Sequence, residues 1–371
     1  TAPLTLIFFT LTLMSNPQSR DPQNSRQQGT GDGDHRNNIF EFFRSHTAFD
    51  MLPESGKVCL LDSSLSAFAA LSIMAANQQL AVPVWDAHAD SYLGMLTVTD
   101  LVEIVLACRN SKTYSSCLEG LKAMTLEHWM CHNARPHGCP LPSVEVRPDD
   151  DLMHVLWTLV RNNCRVVPVL EREGSRRDTA MLNQCLVGQV SYLLLFRFLF
   201  YHQAGELETL QGTLADVGIG TLGADRIISV QASEPVTRAL ELMSKHGISG
   251  VPVVDEKGLF HGIFSDKDIL CYSPEFLNLD LRTALEQASA AMNPDPAVDP
   301  EALCAEHPGD APADAAHGSG AAAAGGGQAR PLCACRTDDP LRTIVWRFKE
   351  CRSTRLACTD ADGRVQGIVT L

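Results

Sequence analysis

Positive charge is what this chain has least of. Its 30 Lys and Arg stand against 44 Asp and Glu, a formal net charge of -14, and no segment gathers the cations into a basic stripe. A nucleic-acid partner is thereby excluded, because binding a phosphate backbone needs such a stripe. Any phosphate ligand must be held by a few local cations. Long apolar runs are also missing: Leu4 to Met14 is apolar but short, with no Lys or Arg ahead of it, and no membrane span is expected. The 13 cysteines are scattered through segments such as Val58-Cys59-Leu60, without the dense framework of a secreted disulfide scaffold. A cytosolic or nuclear setting follows. Nucleophile elbows, Walker loops, kinase glycine loops and metalloprotease helices are absent, and the hydroxyls, His and Asp form no ordered triad, so an enzyme is poorly supported.

What the chain does contain is one phrase written four times: an apolar strand, a short loop, and a second strand with a Gly that ends in a hydroxyl-rich turn. The copies are Ala81-Val82-Pro83-Val84 with Gly94 to Asp100, Val166-Val167-Pro168-Val169 with Val187 to Ser191, Val251-Pro252-Val253-Val254 with Gly262 to Asp268, and Leu356-Ala357-Cys358 with Gln366 to Thr370. Pro83, Pro168 and Pro252 are spaced 85 and 84 positions apart; Ala357 follows Pro252 by 105 because a Gly-, Ala- and Pro-rich insert, 294–331, intervenes. Helical spacing precedes the phrases: Ser64 is the expected cap of a helix through Leu65, Phe68, Ala69, Ser72 and Ile73, and Ser233 to His246 repeats the pattern. Short strands at Val58 to Leu61 and Ile227 to Val230 precede those helices, and a second helix follows Asp100. The unit is strand, helix, strand, strand, helix. Units that cannot bury an apolar face alone must stack on their siblings, so function belongs in the clefts between them.

This unit resembles the CBS (cystathionine beta-synthase) module, two of which pair into a Bateman domain. The segments Phe43 to Val58, Val84-Trp85-Asp86, Gly94 to Asp100, Ile219-Gly220-Thr221 and Val251 to Gly258 further resemble the gamma regulatory subunits of AMP-activated protein kinase. The implied fold is α/β (α+β), four β-α-β-β-α modules forming two Bateman domains in a disc. The boundaries expected are a disordered tail at 1–39, modules at 40–110, 111–204 and 205–293, a disordered insert at 294–331, and a module at 332–371 that is incomplete at Leu371. The start at Thr1 instead of Met suggests a mis-started frame.

The resemblance implies AMP, ADP or ATP as regulatory ligands, catalytic alpha and scaffold beta chains as partners, and a beta-chain contact around Phe40 to Asp50. Asp100 and Asp268 occupy the places of ribose-binding carboxylates, since a carboxylate can grip a diol with two hydrogen bonds. Thr97, Thr99 and Ser265 are neighbouring hydroxyls; Ser249 and Arg355 occupy phosphate positions; Arg165 can reach a shared central phosphate; Met95, Thr221 and Thr370 complete the set. The cleft of Asp268, Ser249 and Arg355 ranks first, that of Asp100 with Arg165 second. Plainer readings stand beside these: each Asp can be a helix N-cap, Ser249 a turn hydroxyl, Arg355 a solvated cation.

Departures from the family matter as much. Leu80 stands where those chains have Arg, Arg165-Val166 and Thr354-Arg355 where they have His-Arg, and Leu193-Leu194 near their Lys-Arg. Phosphate cations are therefore missing. Two functions remain open: an energy-sensing regulatory subunit, and a structural CBS subunit whose nucleotide response is weakened or lost. A CBS appendage controlling a fused enzyme has no room in this chain. Cys131, His132, His137 and Cys139 fall close together, but their spacing is irregular for zinc and no metal is expected.

Overall fold

The computed structural model describes residues 34–53, 58–132, 144–173, 183–203, 212–273, 275–291, 333–351 and 353–370. Residues 1–33 of the expected tail, the insert at 294–331, and His137 and Cys139 lie outside these; residues 34–39, expected in the disordered tail, instead open a helix, because the apolar Phe40, Phe42 and Phe43 continue it onto the core. The elements are α1 (Asp34–Ser45), β1 (Leu61–Asp62), α2 (Ala67–Ala76), β2 (Ala81–Asp86), β3 (Ser91–Thr97), α3 (Val98–Asn110), α4 (Cys117–Ala123), α5 (Leu126–His132), α6 (Leu152–Arg161), β4 (Val166–Glu173), β5 (Asn183–Ser191) and α7 (Tyr192–His202). The second half adds α8 (Leu214–Val217), β6 (Thr221–Leu222), β7 (Val230–Gln231), α9 (Val236–His246), β8 (Gly250–Val254), β9 (Phe260–Ser265), α10 (Leu281–Ala291), β10 (Ala334–Cys335), α11 (Leu341–Glu350), β11 (Arg355–Thr359) and β12 (Val365–Thr370).

Each phrase folds as an antiparallel hairpin, β2/β3, β4/β5, β8/β9 and β11/β12. A short parallel strand lies along the first member of three hairpins; Val146 supplies a single parallel bridge to Val169 in the other. The recurrent Gly faces the recurrent apolar residue in every hairpin: Val84 with Gly94, Val169 with Gly188, Val253 with Gly262, Cys358 with Gly367. A register shift follows each of these pairs.

The reason for Gly is a crossing. A Cβ at Gly94 would lie 2.8 Å from Met130, at Gly188 2.6 Å from Leu52, at Gly262 3.1 Å from Leu285, and at Gly367 2.7 Å from Leu222 and 2.9 Å from the Thr221 carbonyl oxygen. In each module another segment runs over the hairpin at its Gly, so the side chain that would block it is absent.

Those crossings redraw the boundaries read from the sequence. The lead-in 40–53 precedes the first module yet packs on the second: Ala48 N–H donates to the Asp150 carbonyl at 2.8 Å and Leu152 N–H to that of His46 at 3.0 Å. Phe42, Phe43 and Met51 are buried with Val155, Leu156 and Leu195. The segment 212–222 likewise serves the fourth module, β6 extending its sheet beside β12, with Leu214 and Ile219 in the same core. Conversely α4 and α5, expected in the second module, bury Leu121, Leu126 and Trp129 against the first. Amphipathic segments join whichever open face lies nearest, and here it is a neighbour's.

Helix starts also shift. Ser66, not Ser64, caps α2, accepting from Ala69 N–H at 3.2 Å, while Ser64 turns to Asp62. The helix expected from Ser233 begins at Val236, and that expected after Asp100 begins at Val98. The first strands fall later than expected, at Leu61–Asp62 and Val230–Gln231, because only there does the parallel neighbour run alongside.

Four contacts close the modules into a ring. One apolar core joins the first and third modules and another joins the second and fourth, as in the edge-to-face rings of Phe196 and Phe348, 6.4 Å apart. Polar contacts make the other two joins: Gln189 Nε2 donates to Gln79 Oε1 at 3.0 Å, and Phe260 N–H to the Gly363 carbonyl at 3.0 Å.

Gly367→Ala should lower unfolding stability by about 1–3 kcal/mol, since its Cβ meets backbone that cannot yield. Gly262→Ala, which meets only the movable Leu285 end, should lose clearly less. Urea denaturation of both variants checks the order; equal losses would remove the crossing as the reason for the Gly.

Candidate functional site

The strand-to-helix turns of the first and third modules are built alike. Thr97 caps α3, and its N–H and hydroxyl donate to Asp100 Oδ2 at 2.8 and 2.6 Å. Ser265 does the same to Asp268 Oδ2, at 2.7 and 3.0 Å, at the head of a 3-10 helix, Asp266–Cys271. Neither Asp is the cap itself. Each is the acidic partner in a capping box, so the capping interaction is present in a form the sequence reading did not anticipate. In the second module Ser191 caps α7 through Leu194 N–H at 3.1 Å; with Leu194 at the corresponding position, no carboxylate stands there.

The two turns differ in access. Asp268 is fully buried. Asp100 is half-buried, and Thr97 engages only its Oδ2. Burial pushes the Asp100 carboxyl above its ordinary range, against the hydrogen bonds from Thr97 and the charge of Arg165, which pull it down.

Between the turns lies Asp266, a residue not anticipated from the sequence. Its side chain is 2% exposed. Thr99 Oγ1 of the first module donates to Asp266 Oδ2 at 2.7 Å. Arg165 of the second module donates through Nη2 to the same oxygen and to Thr99 Oγ1. Arg355 of the fourth module places Nη2 at 3.8 Å from Asp266 Oδ1, and donates to the Ser249 hydroxyl of the third. The Asp266 N–H donates to the Ser249 carbonyl at 3.0 Å, which fixes the carboxylate in place. All four modules therefore meet at one carboxylate.

The charges alternate across the disc. Asp100 acts on Arg165, Asp266 lies between the two guanidiniums, and Asp268 acts on Arg355. Burial alone would raise the Asp266 carboxyl; the charges of Arg165 and Arg355, with the hydrogen bonds from Arg165 and Thr99, outweigh it and hold the group below the usual range. Burial likewise pulls the Arg355 guanidinium down, opposed chiefly by Asp266. An opposite charge at about 4 Å is worth on the order of 4 kcal/mol near a protein surface, enough to keep both groups ionised.

Of the candidates read from the sequence, the structure gathers Thr99, Arg165, Ser249 and Arg355 directly at this node. Arg355 is buried, so it is not a solvated surface cation. Thr97 and Asp100 form one flank, Ser265 and Asp268 the other. Thr370 stands beside Arg355 across the β11/β12 ladder. Thr221 pairs with Ile368 and is exposed, and Met95 pairs with Pro83 and is half-buried; neither has a polar contact to the node. A signal for Asp266 did exist: aligning the phrases places it where the first module has Val98, a residue 1% exposed, and the second has Tyr192. A charge at a core position of a repeat needs a partner. Among the described residues no group of three or more His, Cys, Asp or Glu could hold a metal ion, and no helix is long and apolar enough to cross a membrane.

Comparison with known proteins bears on the same regions. The CBS domain family model matches residues 57–107 and 219–275. The 5'-AMP-activated protein kinase subunit gamma-3 of Homo sapiens is 27% identical over 261 residues, covering 68% of this chain and 50% of that protein. The subunit gamma-3 of Sus scrofa is 26% identical over 261 residues, covering 68% and 47%. The chain thus spans about half the length of the curated relatives it matches. Among solved structures, a protein of Methanocaldococcus jannaschii described as a homolog of g-AMPK aligns with a TM-score of 0.59 at 15% identity, over 88% of this chain and 97% of that one. The fold is therefore that of tandem CBS domains, and the resemblance to gamma subunits is matched by the curated relatives.

Removing one guanidinium tests the node. Arg355→Gln should destabilise the chain by about 3–5 kcal/mol, because a buried charge loses its partner. Arg165 donates directly to the same buried carboxylate, and although its own side chain is 41% exposed, Arg165→Gln should also lose about 2–4 kcal/mol. The folded Asp266 carboxyl titrates below its unfolded value of about 3.9, so its stabilisation is present above that pH and lost as pH falls through the folded value. The penalty of Arg355→Gln should accordingly shrink in acid. Urea denaturation from neutral pH to below 4 checks both; a loss below about 0.5 kcal/mol for both variants would contradict the assignment.

Proposed function

We propose that this chain is a non-catalytic CBS subunit of a kinase assembly of the AMP-activated type, joining catalytic alpha and scaffold beta chains, with a weakened response to AMP, ADP and ATP. One observation carries the reading: Arg165 and Arg355, the two cations on which a phosphate would depend, both face Asp266. Leu80, Val166 and Leu193 offer no substitutes. The tandem CBS fold and the names of the curated relatives support the assembly role, in a cytosolic or nuclear setting. The lead-in supports the beta-chain contact, since Phe42 and Phe43 anchor it while Phe49, 61% exposed, is left facing out.

Energy sensing by bound nucleotide is kept as a second reading because of one feature. Asp100 leaves Oδ1 open to a ribose diol, beside the half-exposed Arg165. Asp268 is too deeply buried to meet a sugar without movement of the turn. We therefore place any residual nucleotide site at Asp100, reversing the order in which the two clefts were ranked.

Co-expression with alpha and beta kinase chains is the test of the assembly role. The chain should co-purify with both, and Phe49→Asp should weaken recovery of the beta chain while leaving the melting temperature of the isolated chain unchanged. Absence of both partners would sink the proposal. Calorimetric titration with AMP tests the second reading: binding should be weak, lost in Asp100→Ala and retained in Asp268→Ala. Tight binding that depends on Asp268 would restore the sensing cleft first read from the sequence.

A further inference from the structure

We propose that Asp266 is an intramolecular counter-ion whose carboxylate fills the central anion site that Arg165 and Arg355 would otherwise offer to a phosphate group. Two guanidiniums from different modules converging on one buried point make an anion site by their chemistry, since the planar fork suits carboxylate and phosphate alike. Here the anion belongs to the chain. Local folding does not need it: the capping box of that turn is completed by Ser265 and Asp268, and the corresponding places in the first and second modules hold Val98 and Tyr192. The backbone of Asp266 is held by its N–H on the Ser249 carbonyl, and its carboxylate by the Thr99 hydroxyl on Oδ2.

Counting the flanks, three carboxylates, Asp100, Asp266 and Asp268, stand against two guanidiniums. An incoming phosphate meets net negative charge at the node. Replacing Asp266 by a small neutral residue reverses this at its centre, leaving two guanidiniums with the Thr99 and Ser249 hydroxyls around the space the carboxylate filled. That set is a phosphate site. The inference deepens the weakened-response reading above, from which it takes the tandem CBS frame, yet it is measured on the chain alone. Failure to co-purify with kinase chains would leave it standing, and failure of the anion measurement would leave the assembly role standing.

The experiment is the melting temperature of the full chain against inorganic phosphate at constant ionic strength, with chloride as the balancing ion. The wild type should show a flat response. Asp266→Ser should melt at higher temperature with each tenfold rise in phosphate, as binding to the native state requires, and adding Arg165→Gln to it should flatten the response again. Asp266→Ala, also small and neutral, should behave as Asp266→Ser. If a variant is unfolded without phosphate, refolding on its addition supports the proposal, and failure to refold counts against it. A folded Asp266→Ser as flat as the wild type would overturn it. So would a wild-type response abolished by Arg165→Gln, because the site would then be open already.

Discussion

One buried carboxylate sets the terms for the middle of this protein. Asp266 receives Thr99 from the first module, Arg165 from the second and Arg355 from the fourth, while its own third module supplies the backbone that holds it. Buried ions are expensive to desolvate and persist when their partners are well placed. The four modules must therefore sit in register about this point, or leave charge uncompensated in the interior. Apolar packing alone would be more forgiving, since each of the two cores joins a different pair of modules and neither spans all four.

The repeat and the node answer to different constraints. The recurrent Gly exists because a segment crosses each hairpin there, and two of those segments, 40–53 and 212–222, come from ahead of a neighbouring module in the chain. Interlocking of this kind makes the modules of each half mutually dependent, so the scaffold is retained through its backbone crossings. The charged residues answer to one another instead, since Asp266 is stabilised by Arg165 and Arg355 and a change at one leaves the others uncompensated.

Much of the fold was legible in the sequence because strands and glycines recur with a near-constant period, and short-range patterns report hairpins well. Module boundaries were less legible, since Leu121 and Leu126 are apolar at helical spacing whichever face they cover, and only tertiary contact decides that they cover the first module. The candidate residues Thr99, Arg165, Ser249 and Arg355 were found individually, yet what joins them was not. Asp266 looked like one more acid in Ser265-Asp266-Lys267-Asp268, and its neighbours from the other modules, Arg355, Arg165 and Thr99, are 89, 101 and 167 positions distant in sequence. Its meaning was visible only by comparing it with the buried Val98 of the first module.

Whether Asp266 and the guanidiniums at the centre form one coupled node is tested most directly by a double-mutant cycle between Asp266 and Arg355, using Asp266→Asn, Arg355→Gln and the double variant in urea denaturation. Coupled charges predict that the double variant is more stable than the sum of the single losses implies, by about 1–3 kcal/mol. Additivity within about 0.5 kcal/mol would contradict the account, because the two groups would then share no interaction on which the arrangement of the four modules could depend.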